Sequence, residues 1–198
     1  MPKSPERCKE IKEEMRNKIL HASMLYFAKN GFSGTKISNL AKYIGIGQGT
    51  IYVYFESKEE LFKEIFKMTT YEKDVKDLKI LSALPISARQ KIHKLSKAVL
   101  GRLEQDEYFA GKIALNTQLV LEKSDYMTDA ATYQLELYEY TAKIMEQGQR
   151  EGSIVEGSSM KLADYYWGVV YLYALKKLFT TKYEMITIED LERTILKK

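Results

Sequence analysis

Gln48, Gly49, Thr50, Val53 and Tyr54 lie in a segment without a single charged side chain, and together they offer an amide, hydroxyls, methyls and an aromatic ring. If a helix begins at Gln48 and turns about 100° per residue, Ile51 and Phe55 share its buried edge. Gly49 and Val53 then lie opposite, flanked by Thr50 and Tyr54. A helix face with no charge, an outward valine and a glycine that costs about 1 kcal/mol in a helix interior is badly matched to water. It suits the DNA major groove. Gln48 and Thr50 can hydrogen-bond base edges, Val53 and the Thr50 methyl can meet thymine methyls, Gly49 lets the backbone come close, and tyrosine hydroxyls can reach phosphates. By angle, Tyr52 lies nearer the buried edge than the reading face.

Such a reading helix must be held by neighbours that also tolerate a polyanion. From Met15 to Phe55 the chain has no Asp or Glu over 41 residues, while Arg16, Lys18, Lys29, Lys36 and Lys42 supply positive charge. The first two of these and Lys29 read as a general electrostatic attraction. A first helix is expected over about residues 9–30, stopped by Asn30-Gly31 in a left-handed cap. A second follows Thr35, with Ile37, Leu40, Ala41 and Ile44 at the spacing of one buried face, and Gly45 ends it. A fourth helix opens at Ser57, where Glu60 is placed to complete a capping box. Thr35 and Ser57 each start a helix whose free N–H groups suit a phosphate, with Lys36 and Lys58 one residue inside. These features predict two phosphate anchors around one reading helix.

The remaining chain reads as helical almost throughout, since Pro occurs only at positions 2, 5 and 85 and no long alternating run appears. The fourth helix is expected to run into the high 70s, with others at about 87–103, 106–123, 127–151, 159–181 and 187–197. The fold class is therefore all-α: an N-terminal three-helix helix-turn-helix domain over 1–56 and a larger helical domain over 57–198. Residues 1–68 hold 12 Lys and Arg against 8 Asp and Glu, whereas residues 69–198 hold 19 of each. The net charge of +4 thus belongs wholly to the N-terminal third.

Several function classes are disfavoured. GlyIleGlyGlnGly is not a dinucleotide fingerprint and follows a helix rather than a strand. His21 and His93 stand alone without partners at metal or catalytic spacing, so no catalytic residue, metal or cofactor is expected and the protein reads as a non-enzyme. One cysteine, Cys8, excludes an internal disulfide. The first ten residues have no apolar core, and the longest uncharged apolar stretch, residues 165–175, is shorter than the ~20 residues a membrane span needs. A cytoplasmic protein is the expectation.

The stretch from Gly31 to Phe62 resembles the DNA-binding domain of the tetracycline-repressor (TetR) family. That family's pattern has Thr opening the second helix, Ala-x-x-x-Gly-(Val/Ile) at the turn, x-x-Gly-Thr-(Leu/Ile)-Tyr-x-Tyr-Phe in the third helix, and Ser-Lys-Glu-x-Leu opening the fourth. Thr35, Ala41, Gly45, Ile46, Gly49, Thr50, Ile51, Tyr52, Tyr54, Phe55, Ser57, Lys58, Glu59 and Leu61 all match. Gly47 and Ile44 depart from it, standing where Ser and Ala are commoner. The resemblance implies phosphate contacts by Thr35, Tyr52, Tyr54 and Lys58 and base reading by the third helix.

For the C-terminal two-thirds the resemblance implies a helical domain that dimerises through its last long helices and often encloses a ligand. The helices at about 127–151 and 159–181 each carry an apolar stripe, which fits a four-helix bundle in a homodimer reading a palindromic operator in double-stranded DNA. Tyr108, Phe109, Met127, Tyr133, Trp167 and Tyr171 are the candidate walls for a small hydrophobic or aromatic ligand. The leading expectation is a ligand-released transcriptional repressor. The alternative is a DNA-binding regulator whose C-terminal domain takes a protein partner.

Overall fold

Asn30-Gly31 stops the first helix where the pattern places the stop. In the computed structural model α1 spans Pro5–Asn30 and the Gly31 N–H donates to the Phe27 carbonyl at 2.8 Å. Gly31 has φ 74° and ψ 156°, so it is an extended positive-φ glycine and not the left-handed cap anticipated. Gly45, with φ 77° and ψ 35°, is the left-handed one, and it ends α2 (Ile37–Ile44). α3 (Gln48–Tyr54) follows after a short turn, then α4 (Lys58–Thr69). The structure describes residues 4–69, 72–122 and 127–197, without the side chains of 5, 69, 72, 118–122 and 127–134.

The chain divides into two compact units, Met1–Thr69 and Thr70–Lys198. The first contains α1 to α4. Its core holds Ile19, Met24 and Phe27 of α1, Leu40 of α2, Ile51 and Phe55 at α3, and Leu61, Phe62 and Ile65 of α4, and among these the α2 and α3 residues are the ones the helical spacing selects. Phe27, Phe32 and Phe62 pack as an aromatic triplet with ring centroids 4.4 to 5.7 Å apart. Each such ring removes apolar surface worth about 2–3 kcal/mol from water. The boundary anticipated at residue 57 thus differs from the division observed at Thr69. α4 buries its apolar face against α1, which assigns it to the first unit. α5 spans Glu72–Ala83, and residues 70 and 71, through which the single helix anticipated from Ser57 into the high 70s would run, lie outside the described residues.

The second unit adds α6 (Ala88–Gln105), α7 (Glu107–Glu122), α8 (Met127–Arg150), α9 (Ser159–Phe179) and α10 (Ile188–Arg193). α8 packs along α5 and α9, and α7 packs against α9. Tyr166 lies fully buried at the centre, where desolvation pushes its phenol well above the usual range. The C-terminal segment is tied back by an isolated bridge between Ile154 and Leu196, and Arg89 donates to the Lys197 carbonyl at 2.6 Å. Among the described residues, no helix is long and apolar enough to cross a membrane, and no cluster of three metal-ligating side chains occurs.

Candidate nucleic-acid interface and ligand cavity

α3 has seven residues and two turns' worth of side chains at most, so burial of Ile51 and of Phe55 at its end decides its orientation. Those two are essentially inaccessible, and Val53, on the opposite side, is 69% exposed. Gln48 and Gly49 are exposed and Thr50 and Tyr54 are half-buried. Space around Gly49 is open, with no atom within 4 Å of where a Cβ would stand. The uncharged, outward face read from the angular pattern is therefore present.

Tyr52 corrects the angular count. It is 47% exposed, whereas Tyr54 is the more shielded ring. The two residues flank the buried edge of a helix at nearly equal angles, so angle alone cannot rank them. What surrounds each flank does.

The two predicted anchors are built differently from the expectation. Thr35 is buried, its hydroxyl donates to the Gly31 carbonyl at 2.6 Å, and its N–H donates to Phe32 at 3.1 Å. It closes the α1–α2 turn, and Lys36 occupies the N-cap of α2 without any side-chain cap bond. Lys36 itself is exposed. At α4 the cap is as anticipated on one side: the Glu60 N–H donates to the Ser57 hydroxyl at 3.0 Å. The Glu60 carboxylate, however, reaches one residue further back, to the Glu56 N–H.

Lys58 is half-buried and bends toward the turn closed by Thr35. Its ammonium donates to the carbonyls of Phe32 and Thr35 at 3.1 and 3.2 Å and stands 4.3 Å from the centroid of the Phe32 ring. Two of its three N–H groups are thus committed to the protein, and one is available to an outside acceptor. Arg16 also departs from the general-attraction role. It pairs with Glu64 of α4 at 2.9 Å and lies over the Phe55 ring, 5.1 Å from its centroid. Lys67 and Arg16, in that order, hold the Glu64 carboxyl below its usual range. Tyr43 was not singled out from sequence: it is 51% exposed on α2 and packs on Tyr26 at 5.1 Å.

Within the second unit a cavity of about 170 Å³ opens between α5, α6, α7, α8 and α9. Phe109, Trp167 and Tyr171 line it, as does Tyr138, which the sequence reading did not select. Tyr108 is not among its walls; burial and then Asp106 raise its phenol. Met127 and Tyr133 lie outside the described side chains. Trp167 is held by an indole N–H bond of 3.0 Å to the Thr141 hydroxyl. The cavity edge carries Asp74 and Arg102, paired at 2.7 Å, a feature that sequence alone did not reveal.

Residues 19–65 match the family model described as bacterial regulatory proteins of the tetR family. The fatty acid metabolism regulator protein of Bacillus subtilis (strain 168) is 28% identical over 153 residues, 73% of this chain and 73% of that protein. In fold, the chain is similar to a linker-substituted HlyIIR mutant protein (TM-score 0.68, 17% identity, 94% of this chain and 100% of that one). It is equally similar to AibR in complex with isovaleryl coenzyme A and operator DNA (TM-score 0.68, 13% identity, 90% and 94%). The uncharged outward helix and the glycine turn that sets it lie inside the matched residues, so the chain carries the DNA-binding domain described for tetR-family bacterial regulatory proteins and is a DNA-binding transcriptional regulator.

Proposed function

We propose that the protein is a homodimeric repressor that reads a palindromic operator with α3 and leaves it when a small apolar ligand occupies the cavity of the second unit. The observation that carries the DNA part is the outward, charge-free face of α3, with Val53 exposed and Gly49 open to close approach. In this reading Gln48, Thr50 and Val53 contact base edges, and Gly49 admits the backbone. Tyr52, Tyr54, Lys36 and the third N–H of Lys58 contact phosphates. Thr35 acts through the turn it closes, since its hydroxyl is already used.

Two features support the rest. Tyr165, Leu172 and Phe179 are exposed at seven-residue intervals along α9, and Gly168 is exposed with them. An apolar stripe of this length suits a twofold helix pair, which would present two reading helices about 34 Å apart. The largely apolar cavity favours a small molecule over a protein partner, and relatives concerned with fatty acid metabolism and an isovaleryl thioester point to an acyl group. A ligand that binds the DNA-incompetent state better weakens operator affinity by its difference in affinity for the two states.

In vitro selection of DNA targets by the full chain, at two salt concentrations, tests the DNA reading, because phosphate-dominated affinity falls steeply with salt. A palindromic consensus with two half-sites one helical turn apart is expected. Recovery of a single undivided site, or of no consensus, removes the dimeric reading.

A further inference from the structure

Charged side chains from α5 and α6 reach the cavity wall, and a third helix, α7, supplies a cation behind it. Arg102 of α6 lines the cavity with its guanidinium 3.9 Å from the centroid of the Phe109 ring, and its Nη1 donates to Oδ1 of Asp74 of α5 at 2.7 Å. The other carboxylate oxygen, Oδ2, accepts from Nζ of Lys112 of α7 at 2.6 Å. Two cations thus share the two oxygens of one carboxylate, which cannot fully neutralise both. Asp77 and Lys94 also line the cavity and offset each other in charge.

Exposure decides which cation is the uncompensated one. The Lys112 side chain is 10% exposed and lies behind the wall, while that of Arg102 is 51% exposed and on it. An ammonium buried to that degree cannot lose its counterion without a large penalty, so Asp74 is committed to Lys112. Desolvation lowers Lys112 despite the carboxylate. For Asp74, burial acts upward, but Lys112 and then Arg102 outweigh it and hold the carboxyl below its usual range. Arg102 spends one N–H on Asp74, and the rest of its five-donor fork is free, held in plane by Phe109.

We propose that Arg102 is the head-group anchor of an anionic amphiphile, a carboxylate or phosphate on a short apolar or aromatic tail, and that Lys112 is a positioning residue that keeps Asp74 from neutralising it. This rests on reading the cavity as the ligand site. The tail fills the volume between Leu78, Val99, Ile113 and Trp167. At about 170 Å³ that volume is close to the roughly 150 Å³ apolar cavity that accepts benzene, so the enclosed tail is about six to eight carbons or one ring.

Trp167 is the chain's single tryptophan and stands in the cavity wall, so its fluorescence reports occupancy directly. The full chain is titrated with octanoate, octyl phosphate and 1-octanol. One anion or both are expected to bind roughly tenfold or more tighter than the alcohol, and the better of the two identifies the head. Arg102→Gln should abolish this preference and leave octanol binding unchanged. Lys112→Met should weaken the anion alone, although it touches no ligand. Adding Asp74→Asn to that variant should restore anion affinity, which a purely structural role for Lys112 would not do. Equal affinity for anion and alcohol in the wild-type chain, survival of the preference in Arg102→Gln, or no rescue in the double variant overturns the proposal. If the alcohol binds but the anions gain nothing, the ligand cavity stands without its anchor; if no probe binds, both readings fall.

Discussion

Gly49 allows fold and the proposed DNA approach to be tested apart at a single atom. Nothing in the first unit lies near its missing Cβ, so Gly49→Ala should leave stability unchanged or raise it by up to about 1 kcal/mol through helix propensity. If the backbone approaches DNA here, the same methyl should weaken specific operator binding at least tenfold; thermal melts and an electrophoretic shift assay on one preparation give both numbers. Undiminished operator affinity would show that no close approach occurs. Thr50→Ala should instead change sequence preference more than affinity for random DNA. The residue types of α3 were legible because a charge-free exposed face is abnormal in water. Which of Tyr52 and Tyr54 is the more exposed was not, since both flank the buried edge at nearly the same angle.

At the scale of elements, side chains committed between helices carry the consequences. Gly148 on α8 is pressed against Ile154 and has Ala88 Cβ 3.0 Å from where its own Cβ would stand. Gly148→Ala should therefore destabilise by about 1–3 kcal/mol, and Ile154→Val should recover part of it in a double-mutant cycle measured by denaturation. The Asp74 latch on α5, α6 and α7 makes a pH-dependent claim. Its folded pKa lies below the unfolded value, so the stability it contributes is present above the ordinary Asp range and disappears as pH falls through the folded pKa. Asp74→Asn should cost about 1–3 kcal/mol at pH 7, and the gap to wild type should close toward pH 3 in paired thermal melts. A gap constant over that range would assign the loss to packing alone. The helices themselves followed from caps and periodicity. Partners such as Asp74 and Lys112, 38 residues apart, leave no local signature.

For the whole molecule, the proposed pairing through the α9 stripe would make association and DNA reading one property. Leu172→Glu places a charge in the middle of the exposed apolar face and should convert a dimer to a monomer in sedimentation. Operator affinity should then fall at least a hundredfold, while weak binding to random DNA falls far less, because each reading helix keeps its own phosphate contacts. A variant that stays dimeric with full operator affinity would move the dimer contact away from α9.

The sequence by itself determined the helical class, the turn between α2 and α3 and the chemistry of the outward α3 face, because each depends on residues within one or two turns of one another. Tertiary structure decided the rest. Contacts made in the folded chain, not position along it, committed the Thr35 hydroxyl to the α1–α2 turn and Arg16 to Glu64, turned Lys58 inward onto two carbonyls, assigned α4 to the first unit, and joined Asp74 and Arg102 of the cavity wall to Lys112 behind it. Charges along a helix look alike in one dimension; only the neighbours supplied by distant segments determine which are spent on the fold and which remain for a ligand or DNA.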